Sequence, residues 1–423
     1  MAKASFFKAA FLSGAALAAL APVAALAGDP ASQGAPAPSV ILNGQMNFSD
    51  VQGLAVIRSG TTHGANAVAV AANNQMGARV TQGTGLVTSD QTANGNTRAS
   101  STVQAQNAYG ATVSVAQATG NAGAIEVCCG AVLGSASQTT GAGTSVTAAS
   151  NVRVGSADTV VSSSTAAGNA WGVSGANSYI DLTVTQNNAA RVTASSSIQA
   201  CCNDGSLTSG ATAVANSNRI VSESSTVYSG VLQYNTGAVN ANSNVRAGSA
   251  TNVTSAASAG GNVAAIDNRW GYAQMDGYQE NAGPVRARSE VVINDWSGFA
   301  VSGANAIGNS AMVSNIGSDA TLGMVQNNFA SAPVSAYASL QGNSSSGGVG
   351  LVNASAMGNA ATVYSCAGCG DSPVKVEGYV SQYNYAPVTA TAVASVGTAG
   401  VISASATAVG NSANFIVGSP RGH

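Results

Sequence analysis

The sequence predicts an all-β fold, a repetitive β-solenoid of about eight units of ~47 residues that is elongated and self-associating. Three observations carry that expectation. A glutamine and an asparagine each recur with one period along the chain. Charged residues make up only 7% of it, against roughly 25% in typical soluble domains. Small and β-branched residues dominate the remainder, whereas disorder calls for high net charge and few β-branched residues.

The first element is a signal. Lys3 and Lys8 precede an apolar run from Ala9 to Leu20, and Ala25-Leu26-Ala27 is an A-x-A cleavage site. Residues 1–27 are therefore read as a secretory signal peptide, too short in its apolar run for a membrane span. Residues 28–40, with Pro30, Pro36 and Pro38, read as a flexible leader. Residues 41–423 read as a single eight-repeat domain. Loss of Lys3 and Lys8 takes the net charge from −2 to −4 and leaves Lys375 as the one lysine, which argues against charge-driven binding of nucleic acid.

The repeat follows from two markers. Asn74, Asn121, Asn169, Asn216, Asn262, Asn309, Asn359 and Asn411 are separated by 47, 48, 47, 46, 47, 50 and 52 residues. Gln45, Gln91, Gln138, Gln186, Gln233, Gln279, Gln326 and Gln382 are separated by 46, 47, 48, 47, 46, 47 and 56 residues, and Asn usually follows two places on. The offset from Asn to the next Gln is 17 in the first six cases and widens to 23 after Asn359, where "CAGCGDSP" marks an insertion.

Each unit reads as a Gln half and an Asn half, both with the period-2 alternation of strands. The Gly-Asn pairs of "ANAIGNSAMV" suit tight bends with positive φ. A strand–turn–strand unit cannot bury its inner face alone, so stacked copies supply the core and pair the backbone edges. Gln and Asn recurring at one place are expected to stack as amide ladders. Two strand-rich coils per unit would give a rod of about 75 Å. Its two open ends are expected to recruit further strands.

Little in the chain points to chemistry. The two histidines, His63 and His423, support no catalytic set, and neither a metal-binding nor a phosphate-loop motif occurs. No catalytic residue, metal or cofactor is expected, and the chain is read as a non-enzyme. The stretch 267–296 is the exception in charge and aromatic content. Arg269, Trp270, Tyr272, Tyr278, Glu280, Arg286, Arg288 and Trp296 form a candidate binding face for sugar or partner. Asp276, Glu280 and Glu290 would be the carboxylates of a polysaccharide-modifying enzyme, the alternative reading. The six cysteines fall as Cys128-Cys129, Cys201-Cys202 and Cys366-x-x-Cys369. Export makes local disulfides the default for all three pairs.

The signal, the Gln and Asn markers, the vicinal cysteines and the stretches "VCCGAVLGSASQ" and "SCAGCGDSPVKVEGYVSQYNY" together resemble the holdfast attachment protein D family of stalked bacteria. The resemblance implies an exported, outer-membrane-associated protein at the cell surface of the stalked pole. It implies anchoring of the adhesive holdfast polysaccharide there, together with holdfast attachment proteins A and B. "NAIGNSA" and "SAMGNAATV" also look like head repeats of trimeric autotransporter adhesins, but heptads are absent and the chain ends "VGSPRGH". A curli-like matrix fibre subunit is the related alternative.

Overall fold

A computed structural model describes residues 38–345, 348–367 and 374–418. The expected signal peptide and residues 28–37 of the leader lie outside the described residues. The described chain forms 19 strands in one sheet, and every strand pairing is parallel. The fold is all-β and solenoidal, as the repeat predicts.

One unit makes one coil. Gln45 pairs with Gln91, Asn262 with Asn309 and Gln326 with Gln382, so each residue stacks on its counterpart in the next unit. This corrects the expectation of two coils per unit. Eight rungs about 4.8 Å apart span only about 34 Å, so the molecule is broad and short rather than a 75 Å rod. The physical reason is that the two halves of a unit are facing walls of one coil. Alternating strands on facing walls look the same in sequence as strands on successive coils.

The sixth coil shows the plan. A long strand, Asn252–Arg269, carries Asn262. A Gln strand, Ala273–Asn281, carries Gln279, and a third strand, Val285–Trp296, closes the circuit. The interior divides into two apolar lobes. In one, alanines and valines such as Val291, Ala257 and Ala304 lie between the third strands and the first half of the long strands. In the other, Ile266, Met275, Leu322 and Trp171 lie between the Gln strands and the second half of the long strands.

Amides run between the lobes. Each Gln Nε2 from Gln91 to Gln382 donates to the Oε1 of the preceding Gln at 2.7–3.0 Å. Each Asn Nδ2 from Asn74 to Asn359 donates to the Oδ1 of the next Asn at 2.8–2.9 Å. The second N–H of each rung crosses to the opposite wall. Asn262 donates to the Glu280 carbonyl and Gln233 to the Val263 carbonyl. The offset of 17 residues is the chain length needed to bring those walls face to face.

Two further ladders complete the polar interior. Asn188, Asn235, Asn281, Asn328 and Asn384, the residues two places after Gln, bond successively at 2.7–2.8 Å. A zigzag of ten serines, from Ser101 to Ser302, threads the alanine–valine lobe with two hydroxyls per coil at 2.8–2.9 Å. Sequence reading found the first of these positions only as an Asn trailing the Gln, and missed the serines.

The Gly of each Gly-Asn pair has a different use from the one expected. Positive φ among glycines occurs at Gly83, Gly134, Gly143 and Gly317, not at Gly308 or Gly358. At Gly308 and Asn309 two successive residues point inward, which breaks the alternation and turns the Asn amide into the ladder. A Cβ on Gly308 would lie 2.5 Å from the Gly358 carbonyl oxygen of the next coil. Close stacking, not a left-handed bend, selects glycine there.

The insertion after Asn359 sits at a corner. Pairing holds to Cys366 on one side and resumes at Val376 on the other. Residues 368–373 lie outside the described residues.

An interior rung makes three hydrogen bonds, each contributing about 1 kcal/mol net. Gln233 is fully buried. Gln233→Ala is therefore expected to lower the unfolding free energy by about 3 kcal/mol in urea titration, while the terminal Gln45→Ala, which removes two bonds at a half-exposed site, costs at most about 2 kcal/mol. Equal losses would contradict a cooperative ladder.

Candidate functional site

The charged and aromatic stretch 267–296 makes most of one circuit of the solenoid, so its side chains do not form one flat face. Arg269 and Trp270 stand at the corner after the long strand, exposed, with Trp270 at φ 59°. Tyr272 immediately precedes the Gln strand, Tyr278 and Glu280 lie along it, and Arg286 and Arg288 project from the third strand. Trp296 leaves the candidate face altogether: it is 1% exposed, packed in the alanine–valine lobe beneath Gly342. Two successive exposed residues, Asn294 and Asp295, break the alternation and turn it inward, where its indole fills space that small neighbours leave.

The Gln-strand side is aromatic and acidic. Tyr179, Tyr228 and Tyr272 stack along the axis with ring centroids 5.8 and 5.5 Å apart, and Tyr234 and Tyr278 with centroids 5.8 Å apart. The Tyr278 hydroxyl donates to Glu280 Oε2 at 2.8 Å. Burial, reinforced by that carboxylate, pushes the Tyr278 phenol above its ordinary pKa. The Gln strands carry five carboxylates, Asp90, Asp181, Asp276, Glu280 and Glu377, and no Arg or Lys among the described residues.

The third-strand side has the opposite charge. Seven exposed arginines project from it: Arg58, Arg98, Arg153, Arg191, Arg246, Arg286 and Arg288. Glu290 is held by Arg288, whose guanidinium also lies 5.3 Å from the Tyr337 ring centroid. A net charge of −2 therefore conceals a basic side. Within it, Arg58, Gln104, Arg153, Gln199 and Arg246 pair in register as one outward column. They line an open groove of ≈ 920 Å³. The sequence reading passed over this column because it weighed net charge and local clusters. The signal was available: the five residues recur at intervals of 46, 49, 46 and 47.

Cys128 and Cys366 occupy the same column, five coils apart. The Cys128 and Cys129 sulfurs lie 2.7 Å apart and those of Cys201 and Cys202 3.1 Å apart. Cys369, the expected partner of Cys366, lies outside the described residues. The hydrogen bond with Cys129, aided by burial, holds the Cys128 thiol above its ordinary pKa.

A single parallel sheet wound into ladder-bonded coils makes the chain a parallel β-solenoid. The profile of the family described as Holdfast attachment protein D matches residues 59–332. That is more than half of the chain, and the chain belongs to this family. No curated protein and no solved structure matches it. Membership brings a holdfast attachment role and, with it, a role at the cell surface.

Three variants check these placements. Trp296→Ala is expected to cost about 3–5 kcal/mol of stability. Trp270→Asn, which keeps a residue tolerant of left-handed φ at an exposed site, should cost about 0.5 kcal/mol or less in the same denaturation assay. Cys129→Gly removes the main cause of the raised Cys128 pKa and suits the φ of 62° at that position. A lower pKa gives more thiolate, so alkylation of Cys128 at pH 8 should be faster in the variant, as read by peptide mass spectrometry.

Proposed function

We propose that the protein is a non-enzymatic structural anchor outside the outer membrane, holding adhesive holdfast polysaccharide to the envelope at the stalked pole. The family match over residues 59–332 carries this reading. The charge-segregated outer surface supports it, because a repeated face offers many weak contacts that add through effective concentration. The carboxylates favoured for an enzyme are engaged elsewhere: Glu280 accepts from Tyr278, Asp276 from Gln274, and Glu290 pairs with Arg288. Holdfast attachment proteins A and B are the proposed partners for retention.

Self-association is part of the same proposal. Val40, Leu42, Leu54 and Val68 are exposed at one end, and Val401, Ile416 and Val417 at the other. The Gln ladder donates toward the first coil and the Asn ladder toward the last. Stacking the first coil of one copy on the last coil of another continues both ladders, whereas inverted stacking opposes like groups. Such head-to-tail contact does not close on itself, which is the fibre endpoint of the alternative reading.

Deleting the gene is expected to shed adhesive polysaccharide into the medium while cells still make it. Restoring the native gene should return adhesive to the cells. The Val401→Lys, Val417→Lys form, which charges the open edge, should scatter light as a monomer where the native protein grows with concentration. Normal retention after deletion would overturn the anchor reading, and a native protein monomeric at every concentration would overturn stacking.

A further inference from the structure

We infer that the Arg58–Gln104–Arg153–Gln199–Arg246 column is a binding groove for a linear acidic polysaccharide, laid parallel to the stacking axis. This deepens the anchor reading by naming a site and the charge of its ligand, and it rests on that reading only for the ligand's biological source.

The groove is built by the fold. Register pairing fixes the five side chains in one line across five coils. Successive members are about 4.8 Å apart, so the arginines recur about every 9.6 Å, over about 19 Å from Arg58 to Arg246. Ala105, Val154, Ala200 and Ala247 form the floor, and Gly60 and Gly155 keep the far wall low. A Cβ on Gly155 would lie 2.4 Å from the Gln106 carbonyl oxygen of the preceding coil. Val292 closes the groove at the sixth coil, an apolar position in the column before Gln341 and Ser395.

The chemistry of the lining selects the ligand. It offers three guanidinium groups and no carboxylate. Arg58, Arg153 and Arg246 are exposed and make no ion pair among the described residues. A guanidinium fork matches a carboxylate bidentately and is weakly hydrated, so it gives up water readily. The glutamines between the arginines offer a donor and an acceptor to neutral sugar hydroxyls. Cation at every second rung, amide between, describes a polymer with one acid group per disaccharide.

Nucleic acid is the other linear polyanion, and the groove suits it less. Duplex DNA carries one charge per about 1.7 Å of axis, several times denser than one arginine per about 9.6 Å. Single-strand binders add aromatic platforms for the bases, and the lining contains no aromatic side chain.

The test uses the full secreted chain and hyaluronan, a linear chain with one carboxylate per disaccharide. Neutral dextran and a single-stranded oligonucleotide serve as comparison probes. Hyaluronan is expected to bind, with affinity falling as salt rises. Arg58→Gln, Arg153→Gln, Arg246→Gln together should weaken binding at least tenfold. The charge-matched control Arg79→Gln, Arg219→Gln, Lys375→Gln should keep it within twofold. All six side chains are outside the core, so both triple variants should melt with the native protein. The proposal is overturned by absent hyaluronan binding, by equal loss in both triple variants, by dextran binding as well, or by the oligonucleotide binding more tightly. Deletion of the gene separates the two readings. Shedding with no hyaluronan binding leaves the anchor intact and removes this groove; hyaluronan binding with no shedding does the reverse.

Discussion

A buried side-chain amide needs partners for two N–H groups and an oxygen, and leaving any of them unpaired costs about 1–3 kcal/mol. For the repeated glutamines that requirement is met by an identical amide one coil away on each side and a carbonyl on the facing wall. Register, coil size and wall separation all follow. A slip by one residue would turn every Gln outward and strand its neighbours' amides in the core. The apolar lobes supply burial, but alanine and valine are too alike to fix which coil sits on which. The ladders provide that address.

The ladders also account for the composition. Stacking identical positions about 4.8 Å apart puts like beside like, so a charged inward residue would face its own repeat. Charges are therefore outside, few, and free to differ from coil to coil. Their distribution is uneven: carboxylates accompany the Gln strands and arginines the third strands. The sheet thus presents two sides of opposite sign on one rigid body. Neither sign is visible in the net charge.

Much of this was legible in the sequence and some was not. The positions from Gln45 to Gln382 and from Asn74 to Asn411 announced the repeat and the ladders, because hydrogen-bonding identity must be conserved from rung to rung. The number of coils per unit was not legible, since facing walls and successive coils alternate alike. Trp296 was misplaced because an aromatic beside charges resembles a binding face, and the alternation from Val285 to Ile293 points it outward until the break at Asn294 and Asp295 is known. The arginine column went unread for a related reason. Its members are some 47 residues apart, and only folding the chain onto its own period brings them together.

The insertion after Asn359 shows how local the constraint is. Gln382 bonds to Gln326 across 56 residues as well as Gln233 bonds to Gln186 across 47. Each coil answers only to its two neighbours, so the gene can gain or lose one unit by duplication or excision without disturbing the rest. Coil number then becomes a quantity that selection can dial. Reach across the cell surface, and the length of any column running along the axis, would scale in whole steps with the length of the reading frame.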